Sequence, residues 1–213
     1  MEPLAEINNA IVTLQLTFPT LLYMLAIAWA VFFINLFANR ILFIFGIIPR
    51  HLFGLPGIML SPFLHGNFNH LFSNSIFFLG IGSLLICQGE VTFFVASIWI
   101  TLISGSLVWL FARPACHIGA SAVIIGYWSF ILIRAYFGYD IIDIIAAVIG
   151  MYYFGISMAA SLLSTEKNVS FEGHLAGLIA GFIVGYYYQE LFDLLSVLLP
   201  SLVDLIMKES IAP

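Results

Sequence analysis

Charged residues punctuate this chain so sparsely that they mark out its elements. No Asp, Glu, Lys or Arg falls between Glu6 and Arg40, Arg50 and Glu90, Glu90 and Arg113, Arg113 and Arg134, Asp143 and Glu166, or Glu172 and Glu190. A helix crossing a bilayer needs about 20 mostly apolar residues, and each window holds room for one. The pattern predicts six helices: Leu16–Ala38, His70–Cys87, Val91–Phe111, Ser121–Phe137, Ile141–Leu163 and His174–Tyr188. The third to sixth are joined by short turns, so neighbours run antiparallel in one all-α bundle. Pro49, Gly54, Pro56, Gly57 and Pro62 break the second window, and Arg50–Asn69 reads as a long, apolar first loop lying in the membrane interface.

Composition turns this pattern into a statement about solvent. The 213 residues are 62% hydrophobic and 8% charged, with a mean hydropathy of +1.12. A soluble domain carries roughly 25% charged residues, so a water-soluble enzyme, a disordered chain and a disulfide-stapled secreted domain are all excluded. The first span has no basic residue before it, which reads as a retained anchor, not a cleavable signal. Beyond Glu190, Asp193, Pro200 and Asp204 interrupt the apolar run Leu191–Met207. These acids are costly in hydrocarbon, so residues 1–190 form the membrane domain and 191–213 an amphipathic interfacial segment.

With six spans, the first, third and fifth loops share one face and the termini share the other with the even loops. Cys87 and Cys116 then lie on opposite faces and read as apolar filler. Arg40, Arg50, Arg113 and Lys167 fall on the odd-loop face, which by the positive-inside rule alone would be cytoplasmic.

An ionisable or polar group inside a span is a functional candidate. His70, Asn74, Ser121 and His174 all sit in the first turn or two of helices that start from odd loops, at similar shallow depth. Singly, Ser121 is a helix N-cap and each of the others a hydrogen-bonding partner between helices. Their common depth is what makes them a site. Ser121, in Gly119-Ala120-Ser121-Ala122, stands at a helix N-terminus, where free N–H groups favour developing negative charge. His174 is the one base at matching depth able to take the serine proton. His70 and Asn74, spaced i,i+4, share a face and can donate hydrogen bonds to an oxyanion.

Gly173, Gly177, Gly181 and Gly185 form a stripe on the sixth helix, and Ala122 and Gly126 a matching one on the fourth. Such small-residue faces let backbones approach closely in lipid. His51 and His117 are read as solvated or interfacial, and Asp140 and Asp143 as groups that solvate the fourth loop and pair loosely with Arg134. The zinc-protease pattern His-Glu-x-x-His is missing, no two carboxylates face one another, and no metal or cofactor is expected. Glu172 points about 200° away from His174 around the helix, so the unit is a Ser–His dyad without an acid. A transporter or channel is disfavoured because the spans carry no evident buried charge pair.

Three segments resemble the rhomboid intramembrane serine proteases of bacterial type. They are His65-Gly-Asn-Phe-Asn-His70-Leu-Phe-Ser-Asn74, Gly119-Ala120-Ser121, and His174-Leu-Ala-Gly177-Leu-Ile-Ala-Gly181. The run from Pro49-Arg50 to Pro62-Phe63-Leu64-His65 resembles the family's first loop. The resemblance implies a six-helix rhomboid-like bundle in which Ser121 attacks a peptide carbonyl and His174 is base and then acid. It assigns His70, Asn74 and the Ser121 N–H to the oxyanion hole, with His65 and Gly119 in support. It further implies transmembrane protein substrates entering between the second and fifth spans, no nucleic-acid partner, and residence in the bacterial inner membrane. The site would open to the extracytoplasmic side, against the basic-residue count. Ala122 stands where the family usually has Gly, Ile125 where an aromatic ring is common, and the first-loop Trp-Arg pair is absent. A non-catalytic rhomboid-like protein that binds membrane segments is the alternative.

Overall fold

The computed structural model describes residues 3–138, 140–162 and 170–209. Its helices in chain order are α1 (Pro3–Phe37), the single turn α2 (Gly57–Leu60), α3 (Phe68–Ile86), α4 (Glu90–Phe111), α5 (Ser121–Gly138), α6 (Ile141–Leu162), α7 (Phe171–Tyr186), α8 (Tyr188–Leu198) and α9 (Pro200–Glu209). Five of them, α1 and α3 to α6, are long and apolar enough to cross a membrane, and α7 with α8 makes a sixth if the bent pair is one span. The described residues form an all-helical bundle of five to six candidate membrane spans.

Element bounds follow the expected spans with two differences. The first helix begins at Pro3, well before Leu16, and continues through Pro19. Hydropathy reads the thickness of hydrocarbon, whereas the backbone can stay helical beyond it. Its 35 residues reach about 52 Å at 1.5 Å per residue, past the roughly 30 Å apolar layer. The C-terminal segment is two helices, not one. The chain turns by 87° between α7 and α8 and breaks again at Leu199, just before Pro200. There Val95, Leu195 and Val203 form a small buried cluster, and Trp99 Nε1 donates to the Leu191 carbonyl at 3.0 Å.

The core centres on α5, whose residues Val123–Ile131 are all buried. Its closest neighbour is α7, and glycine makes the approach possible. A Cβ on Gly177 would strike the carbonyl of Ala122, one on Gly181 the carbonyl of Gly126, and one on Gly126 the side chain of Ile100. Ser129 Oγ adds a cross-helix bond to the Leu178 carbonyl at 2.9 Å. Gly173 stands outside this seam, facing its own helix cap at Ser170.

The first loop is a compact structure of short turns. Cβ atoms at Gly54 and Gly57 would collide with the backbone at Ile48 and at Gly46 and Ile47. Arg50, held at φ 59°, donates from Nη1 to the carbonyls of Leu110 and Ala112 at 3.1 and 2.9 Å. Trp109 Nε1 returns a bond to the His51 carbonyl at 2.9 Å. The free carbonyls at the end of α4 are thereby satisfied from the loop. Arg50 and Trp109, far apart in sequence, lock the first loop to the end of α4.

Two expectations about polar residues are corrected. Asp143 does not solvate its turn: it is 2% exposed and forms a 3.4 Å ion pair with Arg134, whose guanidinium also lies 5.3 Å from the centroid of the Tyr188 ring. A buried carboxylate requires a compensating cation, so a partly buried charge pair does join α5 and α6. Asp140 caps that turn instead, accepting from the Ile142 N–H at 2.9 Å. His117, read as solvated, is 8% exposed, with both ring nitrogens in hydrogen bonds. His51 is exposed.

Candidate active site

Three helix N-termini converge on one polar cavity of about 730 Å³, lined by Ser121, His174, His70 and Asn74, with Ser157 and Ser161 of α6 beside them. Each polar residue reaches it through local structure that its own sequence dictates. On α3, the Asn67 side chain caps the helix by accepting from the His70 N–H at 2.9 Å. This places His70 in the first turn and Asn74 one turn further, on the same face. On α5, Gly119 adopts φ +114°, a conformation that disfavours any side chain, and donates its N–H to the Ser61 carbonyl at 2.9 Å. A Cβ on Gly119 would collide with the His70 ring and touch Asn74 Nδ2. The glycine thus brings the start of α5, and with it Ser121, against the two candidate donors.

Asn74 is held from behind by His65, whose Nε2 lies 3.0 Å from Asn74 Nδ2. In this arrangement one amide N–H goes to His65 and the second remains for the cavity. His65 also packs edge-on against His70, ring centroids 5.0 Å apart. Burial of His65 in the first loop, reinforced by the neighbouring His70, lowers its pKa from 6.5 to about 4, with the Phe63 carbonyl opposing more weakly. The folded protein therefore keeps a neutral His65 where an unfolded chain would take up a proton. Stability falls as pH drops from about 6.5 to about 4, with nothing lost above that window. At 1.36 kcal/mol per unit the loss approaches roughly 3 kcal/mol. Thermal unfolding in detergent at pH 7.5 and 4.5 checks this: the decline is smaller in a His65→Gln variant than in the parent.

On α7, Ser170 caps the helix by accepting from the Gly173 N–H at 3.0 Å. His174, next in the chain, is buried, and its Nδ1 lies 2.8 Å from the Ser161 carbonyl. A carbonyl can only accept, so Nδ1 carries the proton and Nε2 is left with a free lone pair. An orienting group is present after all, supplied by the backbone. It belongs to the last turn of α6, where unsatisfied carbonyls and the negative end of the helix dipole favour a positive imidazolium. The N-terminus of α5 has the opposite polarity, suited to an oxyanion. A side-chain reading of the sequence had no means of finding Ser161; the end of a helix near a histidine is the signal.

Ser121 and His174 share the cavity, and no hydrogen bond joins their side chains among the described residues. Unliganded sites often keep nucleophile and base slightly apart until substrate binds. Ile125 is buried and forms part of the cavity wall.

Comparison with known proteins identifies the family. Residues 53–190 match the Rhomboid domain, which takes in α3 to α7 and every residue of the site. The uncharacterized proteins Rv1337 of Mycobacterium tuberculosis and Mb1372 of Mycobacterium bovis are each 34% identical to this chain over 184 residues, covering 82% of it and 73% of theirs. ML1171 of Mycobacterium leprae is 32% identical over 139 residues, 62% of this chain and 55% of its own. No solved structure matches the chain significantly. The domain match, which spans well over half of its residues, establishes that this chain belongs to the rhomboid family.

Proposed function

We propose that this protein is an intramembrane serine endopeptidase that cuts transmembrane segments of other membrane proteins with a Ser121–His174 dyad. The observation that carries the reading is a buried imidazole, tethered at Nδ1 and free at Nε2, in the same polar cavity as a serine at a helix N-terminus. As Ser121 Oγ bonds to the peptide carbonyl carbon, its proton passes to His174 Nε2 and the carbonyl π electrons move to oxygen. The Ser121 N–H, the His70 ring and the free Asn74 N–H receive that oxyanion. The C–N bond then breaks, the amine takes the proton from His174, and an acyl-serine remains. Water, deprotonated by the same nitrogen, repeats the sequence and releases the carboxylate. Side chains and water supply every proton, so no cofactor enters the scheme.

Substrates of this reading are membrane helices weakened by Gly, Pro or polar residues, because amides inside an intact helix are hydrogen-bonded and shielded. They pass between α3 and α6. The contact closing that route is Phe154, whose ring occupies the space above Gly80 and lies 5.9 Å from Phe77. Such an aromatic pair contributes about 1 kcal/mol, equivalent to roughly a five-fold population change. Phe154→Ala is expected to raise kcat/KM for a model transmembrane substrate several-fold; an unchanged or lower value would place the entry route elsewhere.

The site opens to the extracytoplasmic side of the bacterial inner membrane, with α8 and α9 lying along the opposite interface. The test of the activity is cleavage of a model transmembrane substrate by purified protein in detergent, together with labelling by a fluorophosphonate. Labelling at Ser121 that disappears in His174→Ala supports the reading. A protein that binds membrane segments without cutting them shows neither cleavage nor labelling.

A further inference from the structure

His117 lies four residues before Ser121, in the segment that delivers the nucleophile to the cavity, and no step of the proposed reaction uses it. Its backbone exchanges two 2.9 Å hydrogen bonds with Ile47, fixing it to the first loop. Its ring is engaged at both nitrogens: Nε2 lies 3.0 Å from the Arg113 carbonyl and Nδ1 lies 3.0 Å from Ser170 Oγ. Since the carbonyl can only accept, Nε2 carries the proton, and the neutral ring accepts at Nδ1 from the Ser170 hydroxyl. The Glu172 carboxylate lies farther from that hydroxyl, at 3.5 Å, and is engaged by Arg113 at 3.6 Å. The single hydroxyl hydrogen therefore belongs to His117. The same Ser170 oxygen accepts from Gly173 N–H, and Gly173 directly precedes His174.

We infer that His117 is a positioning residue: it staples the loop carrying Ser121 to the first turn of the helix carrying His174, and so sets the distance between nucleophile and base. The inference rests on the protease reading above. Two helices in contact along one seam can still rock about it. The glycine seam of α5 and α7 fixes their approach from Gly177 inward, beginning at Ala122. The His117–Ser170 bond provides a second point on the mouth side of that seam, and two points remove the rocking freedom. Because Ser121 and His174 are not joined by a direct bond, their separation is set by these backbone anchors.

The test is kinetic, on the full-length protein in detergent, with the parent as reference. His117→Ala is expected to lower kcat about 10- to 100-fold, the scale of an ångström-level misplacement, while KM stays within about two-fold and the fluorophosphonate labelling rate of Ser121 falls in parallel. His117→Asn, whose Oδ1 can accept from Ser170 much as Nδ1 does, is expected to recover most of the loss. Ser170→Ala combined with His117→Ala should lose clearly less than the product of the two single losses, because the two substitutions share the His117–Ser170 bond while each also removes one contact of its own. Parent-like kcat in His117→Ala, no rescue by His117→Asn, or additive losses in the double variant would each overturn the inference. Should His117→Ala fail to fold, Ser170→Ala decides: a ten-fold or greater loss of kcat at constant KM supports the staple, and a parent-like value overturns it. A parent protein that neither cleaves nor labels refutes the protease reading itself, a result these variant ratios cannot imitate.

Discussion

Ser121→Ala is expected to lower cleavage of a model transmembrane substrate by about 10⁴-fold or more, leaving thermal stability in detergent at the parent's value. The two halves of this result come from different observations. Alanine removes the only atom that forms the acyl bond, and in serine hydrolases such a loss is of the order of 10⁶ in kcat. Among the described residues, the Ser121 side chain makes no hydrogen bond that holds the fold together, and alanine is the better helix former at the start of α5. A structural collapse is therefore not available as an explanation for lost activity. His174→Ala should lose a comparable factor, and the double variant should be no worse than either single one, since a nucleophile and its base act as a unit. Cleavage by Ser121→Ala at the parent's rate would remove the serine mechanism, whatever the family.

Gly177→Val is expected to be the most damaging substitution outside the polar cluster. The missing side chain of Gly177 is the space in which the Ala122 carbonyl sits, and backbone cannot move aside as a flexible side chain would. Overpacking of a core side chain commonly costs about 1–3 kcal/mol; here two helix axes must separate, so the cost should reach or exceed the upper end. Separation also moves Ser121, beside Ala122, away from His174. Activity should therefore fall by about 100-fold or more, alongside a clear drop in the unfolding temperature. Gly150→Ala, outside the cavity, is the control, because its added carbon meets nothing nearer than 3.5 Å; it should match the parent in both measurements. Equal behaviour of the two variants would mean that the seam does not set the site.

Much of this architecture is written locally in the chain. Charge-free windows locate the spans because a charge inside hydrocarbon is costly wherever the helix stands in the bundle. The shared depth of His70, Asn74, Ser121 and His174 is likewise a one-dimensional property, readable from distance to the nearest loop. Contacts between distant residues and contributions from the backbone were not readable. His117 looked like a loop histidine because its partner Ser170 lies 53 residues away. The pairing of Asp143 with Arg134 was legible from their proximity across the fourth loop, whereas its burial, which tertiary packing imposes, was not. The group that orients His174 is a main-chain carbonyl, and main-chain carbonyls are the same in every residue. The C-terminal elbow was masked by continuous apolar composition through Tyr186-Tyr187-Tyr188, and Gly185 just before it reads as part of the packing stripe.

The unequal helices have a consequence for the surrounding lipid. At 1.5 Å per residue, the 16 residues of α7 reach only about 24 Å before the elbow, while α1 on the same molecule exceeds twice that length. Lipid packed against a belt as short as α7 would be drawn thinner than lipid packed against a full-length span. Thinning at that face would shorten the path for water to the helix that holds His174.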